Sequence, residues 1–471
     1  MWPRVLARIT GQPHPSDGEG GRHGVEALAR HLSWQERLLN RVLRSGSADR
    51  VRFLVLRPGD AYTICSAVGV NDLIGKCRRA APPKGVNGRA SRSASEHWDT
   101  YMLRGRDGHF RPVPGLGNVM LSVVSAAAMA VASQRVLLIE NYTVAAHSLG
   151  PPLSDLLLEH SAWRPFIDRL QASGVAEDWF AAHDNSSAFE QLCATDLRHA
   201  PASPLLRVFS NLYFLPTLLL NKHHAAQLNR LAETPLPAPA EFGRAAVCAA
   251  RRADGVCMHG TAGLWAPALR LLFRPRQHIV SSADGYTSQL AGATTVGVHV
   301  RSALGNGAAL SELVSCASRR LSAANATVLL VATMHTRASD ALKTALQRAS
   351  HPAWRVVRFG TPPELQGASE AHLDAAVLDL LLLARADFLL LTRGSTFGYV
   401  AHGLGGAPAA VVGAQNGRDL GAPVGECAVL PTSEASFHSF RQALHLPHCR
   451  AGAANASLWG SPLMRLSTVM H

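Results

Sequence analysis

From residue 294 onward, short apolar segments alternate with helical ones, and this alternation limits the possible folds more than any other feature of the chain. The apolar segments are five predicted strands: TTVGVHVR (294–301), TVLLVAT (327–333), WRVVRF (354–359), DFLLLT (387–392) and APAAVV (407–412). The segments between them have helical periodicity, near 308–324, 338–349, 371–386 and 396–405. Strands this apolar are typical of a parallel sheet that helices cover on both faces. The pattern therefore predicts a doubly wound α/β unit.

A second unit of this kind is predicted upstream. TYMLR (100–104) is a predicted strand, VPGLGN (113–118) a Gly turn and RVLLIE (135–140) another strand, which together form a βαβ unit. The apolar segment 119–133 is short for a membrane span and polar residues bound it, so we interpret it as a buried helix. Two Rossmann-like lobes of an α/β protein would then face each other across a ligand-binding cleft.

Changes in composition predict the domain boundaries. The segment 24–46 has helical periodicity, the middle of the chain (about 150–235) is helix-rich, and the Pro-rich segment 233–243 is the predicted linker. The predicted parts are a partly disordered N-terminal region (1–98), an N-terminal acceptor lobe (99–240), a C-terminal donor lobe (241–420) and a C-terminal tail (421–471).

Residues at the ends of two strands predict an anion site. The fourth predicted strand is followed by a glycine turn and a helix, which places Gly394, Ser395 and Thr396 where helix amides point outward and favour phosphate. The first predicted strand ends in His299 and Arg301, which share one face. The planar fork of arginine suits phosphate. Because carboxyl ends of parallel strands share one edge, a diphosphate site is predicted there. An ordinary N-cap, a salt-bridged arginine and a core histidine are the alternatives.

Acidic residues predict nucleotide contacts but no metal. Asp379 and Asp387 lie on and after the helix that precedes the glycine turn, where a carboxylate can accept the N–H groups of guanine; helix-end capping is the alternative. The chain has no D-x-D motif, so diphosphate binding by arginine and amides without metal is favoured, and we predict no metal site and no cofactor. GSTFG does not match a nucleophile elbow because its middle residue is Thr396.

Charge, aromatic content and cysteine spacing limit the partners and the chemistry that we expect for this chain. The chain carries 46 Lys and Arg against 33 Asp and Glu, a net charge of +13, but the basic residues are scattered and aromatic residues are only 6%. Nucleic acid is therefore not the expected partner.

No CxxC pair occurs among the eight cysteines, so zinc or redox chemistry of that type is not predicted. Disulfides are expected at Cys65–Cys77, Cys248–Cys257 and Cys427–Cys449, and four N-x-S/T sequons favour a secretory-pathway protein.

Several of these segments resemble one known family. STFGYVA followed by GLGG (395–406) resembles the C-terminal motif of the plant-type xyloglucan fucosyltransferases, glycosyltransferase family 37. VGVHVR (296–301) resembles the nucleotide-sugar motif of fucosyltransferases, and SNLYFLP (210–216) falls at a matching distance upstream. GLGN (115–118) with RVLLIE (135–140) fits the N-terminal lobe, so the resemblance covers about 100–412.

The resemblance implies a GT-B fold and metal-free transfer of fucose, with inversion, from GDP-L-fucose to a galactose hydroxyl of a glycan, usually the 2-position. It implies a Golgi-lumen enzyme with a membrane anchor, which we expect to be missing from this chain. On this mapping Arg301 faces the diphosphate, Ser395 and Thr396 bind phosphate, and Phe397 and Tyr399 shape the nucleotide pocket.

The acceptor lobe carries two departures from the family. The residues that the resemblance places in this lobe are Gly115, Gly117, Asn118, Asn211 and Tyr213. Val119 stands where the family has arginine, and Asn211 replaces an acid, so His299 is the alternative catalytic base. Two other hypotheses therefore stay open: a non-catalytic glycan-binding or scaffold relative, and a protein O-fucosyltransferase that acts on peptides.

Overall fold

The structure is a computed structural model that describes most of both predicted lobes. The described residues are 25–45, 48, 51–58, 101–104, 110–113, 115–140, 142, 145–180, 186–199, 202–210, 212–225, 228, 266–300, 313–317, 327–333, 336–348, 354–359, 370–392, 395–412, 427–429 and 445–450. The predicted linker at 233–243 lies outside them.

Helices and strands alternate along much of the chain. The strands are β1 (Phe53–Arg57), β2 (Tyr101–Arg104), β3 (Phe110–Val113), β4 (Val136–Ile139), β5 (Ala176–Phe180), β6 (Leu205–Phe209), β7 (Thr294–Val300), β8 (Thr327–Thr333), β9 (Trp354–Val357), β10 (Phe388–Thr392), β11 (Ala409–Val412) and β12 (Ala428–Val429). The helices are α1 (Val25–Ser45), α2 (Leu116–Ser133), α3 (Ala145–Ser148), α4 (Leu153–Leu156), α5 (Arg164–Ala172), α6 (Ser186–Ala194), α7 (Leu215–Leu219), α8 (Ala266–Leu272), α9 (Gln277–Ser288), α10 (Thr336–Arg348), α11 (Glu370–Ala384) and α12 (Thr396–Gly405).

The first sheet has four parallel strands in the order β4-β1-β6-β5. Its βαβ unit runs from β1 through α2 to β4, so the prediction that 100–104 supplies the first strand is wrong. The four residues Phe53–Leu56 are all buried, as a central strand covered on both faces requires. Strand β2 instead pairs antiparallel with β3, where Met102 lies opposite Pro112, and a proline is tolerated only at sheet edges.

The middle of the chain, predicted to be helix-rich, also contains two strands. Strands β5 and β6 form one side of the first sheet. LLRVF, which forms β6, is a short apolar run, and periodicity alone does not distinguish such a run from a buried helix segment.

The second sheet confirms the predicted alternation. Its order is β12-β11-β10-β7-β8-β9, with five parallel strands and the short β12 antiparallel at one edge. Helix α12 spans the predicted residues Thr396–Gly405, and α11 spans Glu370–Ala384 against a predicted 371–386. The predicted α/β class with two Rossmann-like lobes is therefore confirmed. The predicted domain boundaries stay predictions, although β1 comes from the segment assigned to the N-terminal region.

One hydrophobic core joins the two lobes. A single cluster of buried side chains includes Val123 of α2, Leu383 of α11 and Val400 of α12. Helix α2 is long and apolar enough to cross a bilayer by length and composition, but 94% of it is buried inside the protein. It therefore serves as a core helix at the lobe interface, as expected for 119–133.

Among the described residues, two disulfide bonds connect distant parts of the chain. Cys193 pairs with Cys449, and Cys316 pairs with Cys427. The expected Cys427–Cys449 pair is wrong, because each of these cysteines lies against a different core: Cys427 beside the second sheet and Cys449 beside the cluster shared by the lobes. The other two expected pairs lie outside the described residues. Such bonds persist in oxidising compartments, which indicates a protein of the secretory pathway.

Candidate functional site

The predicted anion site lies at the topological switch point of the second sheet. From β7 the chain adds β8 and β9 on one side, and then β10 and β11 on the other. The carboxyl ends of β7 and β10 are adjacent, with His299 paired in register with Leu391. Ligands of open α/β sheets bind at such switch points, outside the carboxyl ends of the strands. Arg301 and Gly394, which follow β7 and β10 in the sequence, lie outside the described residues.

Helix α12 begins at this edge and presents its N-terminus to it. Ser395 is the N-cap, with extended φ and ψ of −93° and 106°, and its side chain makes no capping hydrogen bond. The first amides of a helix have no partner within the helix and carry the positive end of the dipole. Ser395 and Thr396 are 2% and 6% exposed, so this end of the helix is shielded from bulk water. The arrangement suits an anion.

The N-terminus of α2, from the other lobe, meets the N-terminus of α12. The hydroxyl of Thr396 donates a hydrogen bond of 2.6 Å to Oδ1 of Asn118. Gly117 lies so close that a Cβ built there would be 2.7 Å from the backbone nitrogen of Phe397. Neither helix has an acidic residue in its first turn. Two positive dipole ends thus meet without an acid in either first turn, and a bound anion would relieve their repulsion.

His299 is held firmly beside this junction. Its ring stacks on Phe397 with centroids 5.2 Å apart and an interplanar angle of 29°, and only 8% of the residue is exposed. The hydroxyl of Thr392 donates a 2.7 Å hydrogen bond to the His299 carbonyl. A Cβ on Gly398 would lie 3.5 Å from Nδ1 of His299, which shows how closely α12 approaches the ring. The structure therefore brings His299, Phe397 and the helix N-terminus together.

The two predicted acids occupy different places. Asp379 is buried in α11, and burial raises its pKa to about 7, while the positive charge of Arg358 acts in the opposite direction. Arg358 itself donates a hydrogen bond to the carbonyl of Thr333, at the carboxyl end of β8. Asp379 thus lies within electrostatic reach of the edge at which the anion site lies.

Asp387 lies at the opposite edge of the sheet. It precedes β10, and its Oδ2 accepts hydrogen bonds from the amide and the hydroxyl of Thr295, at 2.8 and 2.9 Å. Thr295 is four residues before His299 along β7, roughly 13 Å at the rise of a strand. The structure does not bring Asp387 to the site. Asp387 instead fixes the starts of β7 and β10, because an acid just before one strand can accept hydrogen bonds from the first residues of the neighbouring strand.

The tyrosines belong to the interior. Tyr399, on α12, is 7% exposed and packs in the core cluster, and Tyr213 is fully buried after β6. The segment after Tyr213 is fixed to α2, because Ser125 Oγ accepts hydrogen bonds from the amides of Phe214 and Leu215. Asn211 lies outside the described residues. Gly115 begins α2 as its N-cap, so GLGN forms the start of the helix rather than a separate turn.

A charged pair at the corresponding edge of the first sheet was not among the predicted site residues. Arg57 ends β1 and Glu140 follows β4, and Arg57 Nε lies 3.8 Å from Glu140 Oε2. The guanidinium of Arg57 also lies 5.9 Å from the ring centroid of Phe209, at the end of β6. Each of the two charged residues ends an apolar run in the sequence, a signal that could have identified the pair had β1 been recognised.

Comparison with solved structures identifies the fold. FUT1 from Arabidopsis thaliana, solved as a variant in complex with GDP, matches with a TM-score of 0.52 at 15% identity, over 88% of this chain and 84% of FUT1. This match shows the GT-B fold and confirms the resemblance to the xyloglucan fucosyltransferases at the level of fold.

Two further solved structures are more distant. The α-1,6-fucosyltransferase NodZ, from Bradyrhizobium, matches with a TM-score of 0.37 at 15% identity, over 63% of this chain and 91% of NodZ. POFUT1 in complex with GDP-fucose matches with a TM-score of 0.30 at 11% identity, over 78% of this chain and 99% of POFUT1. Both TM-scores lie below 0.5, so neither match bears on the fold assignment. The sequence matches no protein-family model and no curated protein sequence.

Proposed function

We propose that the protein is an inverting fucosyltransferase that uses GDP-L-fucose as its donor. The observation that carries this proposal is the meeting of two helix N-termini, α2 and α12, at the switch point of the second sheet. Two positive dipole ends favour an anion at this junction, and FUT1, which has the same fold and was solved in complex with GDP, is a xyloglucan fucosyltransferase.

In the proposed complex the diphosphate binds the first-turn amides of α12, with Ser395 and Thr396 around it, and Arg301 supplies a fixed positive charge. Phe397 forms an apolar wall, and the buried carboxyl of Asp379 is the proposed partner of the guanine N–H groups. Asp387 has no role in this complex, because it lies at the other edge of the sheet.

The reaction breaks the bond between fucose C1 and the diphosphate oxygen, and forms a bond from C1 to the acceptor oxygen. Negative charge grows on GDP as fucose gains oxocarbenium character, and the amides and Arg301 stabilise that charge. The acceptor hydroxyl loses a proton. His299 and Glu140 are the candidate bases: His299 lies beside the anion site, and Glu140 lies at the acceptor-lobe edge, where it could replace the acid that is absent at Asn211.

The acceptor and the cellular setting rest on the family resemblance. We propose a galactose hydroxyl of a cell-wall or glycoprotein glycan as the acceptor, an α-1,2 linkage, and a membrane-associated enzyme of the Golgi lumen. The disulfides agree with an oxidising compartment. A peptide acceptor would instead indicate a protein O-fucosyltransferase, and an acceptor screen read by mass spectrometry distinguishes the two.

Calorimetric titration of the disulfide-bonded protein with GDP-fucose and with GDP, in the presence and absence of EDTA, tests the donor. Binding should survive EDTA and disappear in Arg301→Ala, while Arg355→Ala, an exposed arginine on β9, should bind as wild type does. Retained binding in Arg301→Ala would overturn the site assignment. Absence of GDP-fucose binding in the wild type would leave only an inherited fold and favour the scaffold hypothesis.

If GDP-fucose binds, substitution of the two candidate bases tests the chemistry. Loss of transfer in Glu140→Gln with donor binding intact would assign the base to the acceptor lobe. The same result in His299→Gln would assign it to the donor lobe. If both variants keep full turnover, departure of GDP alone limits the rate and no protein base is needed.

A further inference from the structure

Three side chains from separate parts of the chain, none of them a residue of the anion site, converge in one cluster. His147 is on α3, His278 on α9 and Asp374 on α11, and one ligand atom from each lies within 4.8 Å of the others. Both imidazole Nε2 atoms lie 3.1 Å from the same carboxylate oxygen, Asp374 Oδ2. The two rings are 5.4 Å apart at their centroids. Two imidazoles and one carboxylate are a donor set that borderline divalent metals such as Zn²⁺ prefer.

The two nitrogen–oxygen distances agree with a tetrahedral ion. Zinc bonds to histidine nitrogen and carboxylate oxygen are about 2.0 Å long, so neighbouring ligand atoms of a tetrahedron are about 3.3 Å apart. The two nitrogen–oxygen distances of 3.1 Å are close to that spacing. An ion at this position would replace two hydrogen bonds to one oxygen by three bonds to the metal. The side chains are 46%, 50% and 24% exposed, which leaves room for water as a fourth ligand.

Neighbouring groups orient these ligands as the outer shell of a metal site would. The hydroxyl of Ser148 donates a 2.6 Å hydrogen bond to Asp374 Oδ1, which leaves Oδ2 to face the histidines. Glu370 Oε2 lies 3.6 Å from Nδ1 of His147, on the side of the ring away from Asp374. A carboxylate at that nitrogen favours the tautomer whose Nε2 lone pair is available to a metal.

The elements that carry the ligands are fixed to one another. The amide of Arg276, which directly precedes α9, donates a 2.9 Å hydrogen bond to the carbonyl of Ser148, at the end of α3. The Arg276 guanidinium donates to the carbonyl of Ala146 at 2.7 Å. The ends of α3 and α9 that carry His147 and His278 are therefore held together by two hydrogen bonds, as a preorganised site requires.

We propose that His147, His278 and Asp374 form a Zn²⁺ site with one position open to water, supported by Glu370 and Ser148. Because α3 follows the first sheet's β4 and α11 precedes the second sheet's β10, the ion would cross-link the two lobes. Its proposed role is structural, and none of its three ligands belongs to the proposed donor site, which binds the diphosphate without metal. The ligands are far apart in the sequence, which is why no spacing motif predicted a metal.

Binding of Zn²⁺ to the full chain, stripped with a chelator and with its disulfides intact, tests this proposal. Calorimetry of the wild type should detect a specific site that is weakened at least tenfold in His278→Ala and in Asp374→Asn. His160→Ala, an exposed histidine elsewhere, should bind as wild type does. Asp374→Asn keeps the shape of the ligand, and far-UV circular dichroism verifies that each variant is folded.

Two further readouts separate a metal site from a hydrogen-bonded cluster. Co²⁺ in the wild type should give the intense visible bands of a four-coordinate ion, and these should disappear in Asp374→Asn. Zn²⁺ should raise the Tm of the wild type but not that of Asp374→Asn. Glu370→Gln should weaken binding by about tenfold and keep the visible spectrum. Equal Zn²⁺ affinity in the wild type and Asp374→Asn, or no specific binding in the wild type, would overturn the proposal.

Discussion

Replacement of Gly117 by alanine gives the sharpest test of the junction between the two helix N-termini. A Cβ at this position would lie 2.7 Å from Phe397 N, 2.8 Å from the carbonyl carbon of Thr396 and 2.9 Å from its Oγ1. Two of these atoms are backbone, so no side-chain rotation relieves the overlap. Ordinary contact begins at 3.4 Å, so the two helix ends must separate by 3.4 − 2.7 = 0.7 Å.

The magnitude follows from two opposing effects. Overpacking of a tight interior typically costs about 1–3 kcal/mol. Alanine is the better helix former by up to about 1 kcal/mol, which offsets part of that cost. We therefore expect the free energy of unfolding to fall by about 1 kcal/mol. The displacement affects ligand binding more, because errors of about 1 Å in a binding site reduce rates by up to about 100-fold. GDP binding and fucose transfer should each fall at least tenfold.

The assay compares Gly117→Ala with Gly115→Ala on the same helix. A Cβ at Gly115 meets nothing within 4 Å, so that variant should keep GDP affinity and lose only the few tenths to about 1 kcal/mol that an N-cap change produces. Urea unfolding gives the stability and calorimetry with GDP gives the affinity. If the two variants have equal stability and equal GDP affinity, the packing of α2 against α12 is not what shapes the site.

Three further predictions concern stability. Asp379→Asn should become increasingly more stable than wild type in urea unfolding as the pH rises from 4 to 7. Burial raises the Asp379 pKa from 3.8 to about 7, so the wild type loses stability between these two values and no more above them. A stability difference independent of pH would contradict this. The pKa of His402 is lowered to about 4, chiefly by burial, so wild type should lose on the order of 3 kcal/mol as the pH falls from 6.5 to 4. His402→Asn, whose amide can still donate to the carbonyl of Ala407, should reduce that loss, and an unchanged acid transition would refute the assignment. The double change Cys193→Ser and Cys449→Ser removes a disulfide that joins residues separated by 256 positions. We expect it to lower the free energy of unfolding by about 2–5 kcal/mol. A reducing agent should therefore lower the Tm of this variant less than it lowers the Tm of the wild type.

The second lobe was largely predictable because its signals are local. Each strand from β7 to β11 is a short apolar run bounded by polar or glycine residues, and α12 begins directly after a glycine with Ser395 at its N-cap. The first lobe was harder to predict. β1 lies far upstream of its neighbour β4 in the sequence. The segment LLRVF of β6 adjoins further apolar residues, so neither the period nor the length of that apolar run marked β6 as a strand.

The candidate site also combines features that the sequence predicts locally with contacts that only the tertiary structure shows. The sequence alone determined that a helix N-terminus with Ser395 and Thr396 follows β10 and that His299 ends β7, because strand and helix periodicity depend on neighbouring residues. Only the tertiary structure decided that Asn118 bonds to Thr396, that Asp387 lies at the far edge, that Cys193 pairs with Cys449, and that His147, His278 and Asp374 meet. These relations join residues separated by roughly a hundred positions or more. They depend on how crossovers set parallel strands side by side and on how the two lobes pack, and no local pattern encodes either.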